Sequence, residues 1–153
     1  GLWRELIARD QALMARFILL TGSHPQWLSA QPSAVLEKRV AAIVKFTNWA
    51  GMARQADLDA RVDIRAELAL IQAPTLVIVG SQDQMVPRAQ TQVLADGIAG
   101  ATLQELDAGH LMTLEQPEAL ALAIAMFVMA GGSRSACDRS HMVAKCNQQN
   151  TGI

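Results

Sequence analysis

The stretch TLVIVG, residues 75–80, limits most tightly what this chain can fold into. It is almost unbroken β-branched and aliphatic sequence ending in glycine. A strand with one wet face alternates apolar and polar residues; a continuous run has no wet face. Such a strand is buried on both sides, as in a parallel sheet covered by helices. Its surroundings fit that reading. Pro74 disfavours helix at Ala73, because the ring crowds the preceding residue out of the α region. Pro87 suits the first turn of a helix running to about Asp96, and Gly97 suits its end. ATLQELDA (101–108) reads as a second strand, less apolar and so nearer a sheet edge. GHLMTLE follows as a loop. Pro117 then opens a helix through Leu120, Ile124, Phe127 and Val128, ended by Gly131–Gly132. Residues 70–130 therefore read strand, helix, strand, helix, an α/β arrangement.

The sequence before this is helical. Leu2, Trp3, Leu6, Ile7, Leu13, Met14, Phe17 and Ile18 recur at helical spacing, with Arg4, Arg9, Asp10 and Arg16 mostly opposite, and predict one amphipathic helix. TGSHPQ (21–26) breaks it. A second helix begins near Ser33 and carries Val35, Leu36, Val40, Ile43 and Val44, until NWAG (48–51) interrupts it. ARQADLDARVDIRAEL continues helical or turn-like to about Leu68. The tail GGSRSACDRSHMVAKCNQQNTGI has little apolar periodicity and is expected to be a disordered end.

The 153 residues suit one domain with a sizeable core, and 51% hydrophobic against 18% charged excludes a disordered chain. A net charge of −1 gives no global reason to expect nucleic acid or an acidic membrane as partner. No apolar run reaches the roughly 18 residues a membrane span needs. GLWRELIARD lacks the apolar core of a signal peptide. The cysteines, Cys137 and Cys146, both fall in the tail and suit a reduced, cytoplasmic chain. With His141 they match no common zinc spacing, and no metal is expected.

Both strands end in a polar group. Asp83 follows the first, and His110 follows the second in Ala-Gly-His. Alone, Asp83 fits a turn and His110 fits a polar loop. In an open parallel sheet, however, the loops after the carboxyl ends of the strands line the ligand crevice. If the intervening helix lays the strands side by side, Asp83 and His110 meet. A carboxylate on one imidazole nitrogen fixes the tautomer, and the other nitrogen is then free to act as a base. Gly109 allows a tight turn beside the histidine. Glu115 and Glu118 suit capping at the start of the last helix, and Asp63 suits a helix cap. His24, in SHPQW, reads as a surface-loop histidine. Met14, Phe17, Trp49 and Met52 are candidates to line an acyl or aromatic pocket; the same spacing fits plain helical core.

Residues 63–130 resemble the C-terminal part of the α/β-hydrolase fold superfamily. The resemblance rests on I-x-A-P-T (71–75), a strand ending G-x-x-D (80–83), V-P (86–87), A-G-H (108–110) and E-x-P-E (115–118), in that order. It implies a helical cap or lid over 1–62, core over 63–130, and a tail over 131–153. It also implies that Asp83 is the acid and His110 the base of a catalytic triad. That family's nucleophile sits in a G-x-S-x-G turn between a strand and a helix, ahead of the acid and histidine. Gly22-Ser23-His24 has neither the strand nor the second glycine, Gly131-Gly132-Ser133 follows the last helix, and Ser81 sits on no such elbow.

Two expectations follow. The chain is the C-terminal segment of a serine-type hydrolase cleaving an ester, lactone or thioester. In that reading it needs no cofactor and is not competent alone. Alternatively it is a truncated, non-catalytic hydrolase-like fragment acting as a binding or assembly module. Two parallel strands leave two open edges and are marginal by themselves. A complementary N-terminal hydrolase chain or self-association is therefore the expected partner; nucleic acid and membrane are not.

Overall fold

The computed structural model describes residues 1–131. The expected tail, with Cys137, His141 and Cys146, lies outside the described residues beyond Gly131. Among the described residues, five helices precede any strand: α1 (Leu2–Arg9), α2 (Gln11–Gly22), α3 (Pro25–Ser29), α4 (Ser33–Phe46) and α5 (Trp49–Asp59). A 3₁₀ turn, Leu68–Leu70, leads into β1 (Leu76–Gly80), α6 (Arg88–Gly97), β2 (Thr102–Leu106), α7 (Met112–Glu115) and α8 (Pro117–Met129). The two strands pair in parallel, from Leu76 opposite Thr102 to Gly80 opposite Leu106, with α6 as the crossover. This is the α/β arrangement that TLVIVG predicts.

The sheet's core forms where α6 and the 3₁₀ turn lie on the strands. Leu68, Val77, Ala95, Ile98 and Ala101 are buried together, with Ile71, Leu94 and Leu103 packed around them. A second cluster lies in the helical layer. Ala15, Leu19 and Val40 are buried there, and Ala12, Ile43, Val44 and Leu111 pack on them. Leu111 comes from the loop after β2, so the residue following His110 is anchored among the N-terminal helices.

The helical layer departs from the sequence reading in three places, each through a capping residue. The single helix expected from Leu2 to Ile18 is two helices. Asp10 stands between them with φ −155° and ψ 98°, and its side chain accepts the Leu13 N–H at 2.9 Å. Aspartate is a favoured N-cap, worth about 1 kcal/mol over alanine. The TGSHPQ break contains α3, which His24 caps through Nδ1, accepting the Gln26 N–H at 3.1 Å. NWAG starts a helix as well as ending one: Asn48 Oδ1 accepts the Gly51 N–H at 2.9 Å.

As expected of a helical or turn-like stretch, α5 runs to Asp59 and turns follow it to Leu68. GHLMTLE contains the short α7 and is not all loop. Pro87 is the residue before α6 and not its first-turn residue. On α8 the apolar residues Leu122, Ile124, Met126, Val128 and Met129 are exposed. No helix among the described residues is long and apolar enough to cross a membrane.

Candidate active site

The site begins where β1 ends. A Cβ on Gly80 would lie 2.4 Å from both Ala108 O and Gly109 O, a distance no side chain tolerates. The chains leaving the two strands therefore run in backbone contact. Ser81 N–H donates to Leu106 O at 2.8 Å and Gln82 N–H to Ala108 O at 3.0 Å, extending the pairing past the strand ends. That lays the Asp83 turn beside the His110 loop.

Asp83 Oδ2 lies 2.9 Å from His110 Nδ1, across 27 positions of sequence. The other oxygen, Oδ1, accepts the N–H groups of Met85 at 2.9 Å and Val86 at 2.8 Å. Each hydrogen bond to a charged group contributes about 1.5–3 kcal/mol. The carboxylate is thus aimed by its own turn before it meets the imidazole. The Asp83 side chain is 5% exposed and that of His110 is 42% exposed. With Nδ1–H donating to the carboxylate, the neutral ring carries its lone pair on Nε2. Among the described residues nothing hydrogen-bonds that atom.

His110 opens on a cleft of about 770 Å³. Leu2, Trp3 and Arg4 of α1, Ala56 and Asp57 of α5, and Met85 and Val86 after β1 form much of its wall. Arg4 and Asp57 pair across α1 and α5. The pair is exposed and so adds little stability.

The four expected pocket residues lie elsewhere. Met14 is wholly buried within α2. Phe17 meets Trp3 edge-on at 6.1 Å and 86°. The Trp49 indole N–H donates to Val44 O at 3.1 Å. None of these three lines the cleft, and neither does Met52. Met85 and Val86 do, and the sequence held a signal for them: residues in the same turn as Asp83 must flank whatever Asp83 holds.

The joint beside His110 is built differently from expectation. Glu115 does not cap α8; its side chain turns inward and the residue is only 9% exposed. Glu115 Oε2 accepts the His24 N–H at 3.0 Å and the Gly109 N–H at 2.9 Å. Glu118 does lie in the first turn of α8, but makes no cap bond. Gly109 is not needed for a left-handed turn, since its φ is not positive. Close approach requires it: a Cβ would lie 2.5 Å from Gly22 O and 2.6 Å from His24 N.

His24 is not a surface residue. Its side chain is 14% exposed, and its Nε2 lies 3.5 Å from Asp107 Oδ1. The Ser81 hydroxyl donates to that same oxygen at 3.0 Å. Ser23 is buried, and its Oγ has no partner among the described residues, like Glu115 Oε1. Neither serine bonds to His110. Asp63 caps no helix. It accepts from the Arg65 side chain at 2.8 Å and from the Arg65 backbone N–H at 3.2 Å. The side-chain bond first, and the backbone bond second, hold its carboxyl down at about 2.

A model of the Alpha/beta hydrolase family matches residues 2–123, and the chain belongs to that family. Its helical layer and small parallel sheet are part of the α/β-hydrolase fold. The pyrrolizixenacetamide deacetylase of Xenorhabdus hominickii is 40% identical over 129 residues, 84% of this chain and 48% of that protein. The 3-oxoadipate enol-lactonase 2 of Acinetobacter baylyi is 38% identical over 74 residues, 48% of this chain and 28% of that protein. The crystal structure of the enol-lactonase from Burkholderia xenovorans matches with a TM-score of 0.74 at 27% identity, covering 83% of this chain and 48% of that one. The chain thus spans about half the length of these relatives, or less.

Proposed function

We propose that this chain supplies the acid and histidine of a serine-type α/β hydrolase that cleaves an ester, lactone or thioester. The observation that carries this is the Asp83–His110 pair, with Nδ1 held at 2.9 Å and Nε2 unbonded beside the cleft. The names of the deacetylase and lactonase relatives support acyl transfer to water as the reaction class.

In this reading a hydroxyl from a segment beyond residues 1–153 attacks the substrate carbonyl. His110 Nε2 takes its proton, a step worth about 10²–10⁴-fold. Asp83 holds the ring in the required tautomer and stabilises the imidazolium. That imidazolium gives its proton to the leaving group. Water, activated by the same nitrogen, then releases the acid. The chemistry calls for no cofactor. The apolar part of the substrate lies against Trp3, Met85 and Val86. Of the expected pocket residues, Phe17 acts through Trp3, while Met14 and Trp49 support the helices behind.

The second reading, a non-catalytic binding or assembly module, draws on the exposed apolar face of α8 and the open sheet edges. Hydrolysis of an activated ester separates the two. It is measured for residues 1–153 alone and for the gene product that contains them. The catalytic reading expects no turnover from residues 1–153 alone. From the gene product it expects turnover that His110→Ala lowers by about 10³-fold or more. Turnover indifferent to His110→Ala would sink it.

A further inference from the structure

Both chain neighbours of His110 are tied to the helical layer. Leu111 N–H donates to Gly22 O at 2.8 Å. Gly109 N–H donates to Glu115 Oε2 at 2.9 Å, and His24 N–H reaches the same oxygen at 3.0 Å. The junction between α2 and α3 therefore meets the histidine loop on both sides of His110.

One half of that junction pairs directly, donor to acceptor. The other half cannot. His24 and Gly109 both present N–H groups, and two donors cannot satisfy each other. An acceptor must stand between them, and Glu115 provides one from 91 positions beyond His24. Gly109, lacking a Cβ, lets the two backbones come close enough to share it. Burying a carboxylate is unfavourable unless it is well bonded, so general packing does not account for a glutamate here. Its placement is accounted for by the two amides it joins.

We infer that Glu115 is a positioning residue: by bridging the His24 and Gly109 amides it sets the backbone at His110 so that the imidazole meets Asp83 and turns Nε2 to the cleft. The geometry of the base then depends on how the α2–α3 junction is seated. The catalytic meaning of this rests on the role proposed above for His110, but the positioning itself is visible without turnover.

The test uses isotope-labelled residues 1–153 with Glu115→Ala, Glu115→Gln and, as an exposed control, Glu118→Ala. Amide hydrogen exchange is followed at His24, Gly109 and β1, together with the ¹⁵N spectrum of the His110 ring, which reports its tautomer. In the unaltered chain both amides are protected and the neutral ring carries its proton on Nδ1. Glu115→Ala is expected to speed exchange at His24 and Gly109 about tenfold while β1 stays protected. The ring becomes a mixture of tautomers. Glu115→Gln, which keeps an acceptor, falls between, and Glu118→Ala matches the unaltered chain.

Unchanged exchange and an unchanged ring in Glu115→Ala would overturn the inference, as would unprotected amides in the unaltered chain. If Glu115→Ala loses β1 protection as well, Glu115→Gln decides. A ring and Gly109 amide unaltered by that change, or a second loss of β1 protection, overturn the inference; a local change at both upholds it. If these signatures appear while His110→Ala leaves ester hydrolysis intact, the positioning stands and the catalytic reading falls.

Discussion

Asp83 divides its carboxylate: Oδ2 meets His110 Nδ1 at 2.9 Å, while Oδ1 closes the turn through Met85 and Val86. The two jobs can be separated by substitution. In Asp83→Asn the amide oxygen can still accept both backbone N–H groups. Its NH₂ group, however, faces Nδ1 and forces the opposite tautomer, with the proton on Nε2. Stability is expected to hold while, in the gene product of the catalytic reading, ester hydrolysis drops on the order of 10⁴-fold. Asp83→Ala also strands two amides and lowers stability by about 1–3 kcal/mol. Turnover and urea midpoints of the two variants check this; a fully active Asp83→Asn would refute it.

Gly80 stands where the two loops touch. The atoms a Cβ would strike, Ala108 O and Gly109 O at 2.4 Å, are backbone and cannot swing aside. Gly80→Ala is expected to destabilise the chain by about 1–3 kcal/mol and to displace the His110 loop. An unchanged urea midpoint would count against the described crossing.

Asp63 offers a pH test far from the cleft. Arg65 holds its carboxyl at about 2, below the ordinary 3.8. For a depressed acid, the stabilising contribution is fully present above the ordinary value and is lost as pH falls through the depressed one. The Asp63 side chain is exposed, so the effect on overall melting is slight. Arg65→Ala should return the Asp63 midpoint toward 3.8, as followed by NMR of the carboxyl carbon. A midpoint that stays near 2 without the guanidinium would contradict the pairing.

The bare apolar residues of α8 predict association. A helix apolar all round is ordinarily buried, yet Leu122 is 53% and Val128 66% exposed. Sedimentation of residues 1–153 should show concentration-dependent species, and Leu122→Lys with Val128→Lys should shift them toward monomer. A chain that stays monomeric at every concentration and unfolds sharply would refute this.

Much of the architecture was legible because it is local. TLVIVG has no polar face, so it demanded a covered parallel strand, and Asp83 and His110 stand just past the two strand ends. Glu115 was not legible. A glutamate two residues before Pro117 reads as a helix-start residue, and its inward turn depends on His24, which no local pattern connects to it. The break at Asp10 was masked by apolar spacing that runs through it, although an aspartate ahead of Leu13 is itself a capping signal. Trp49 and Phe17 looked like pocket residues because helical stripes do not say which of their faces meets a cleft. Here those side chains meet Val44 and Trp3.

Leu111 sits one residue after His110 and packs into the cluster formed by α2 and α4. The unit that could be exchanged between related chains is therefore not the helical layer by itself. A graft that carried a foreign helical layer onto this sheet would leave Leu111 facing a socket shaped for another side chain. Recombination along this lineage should favour exchanges in which the helical layer and the histidine loop travel together.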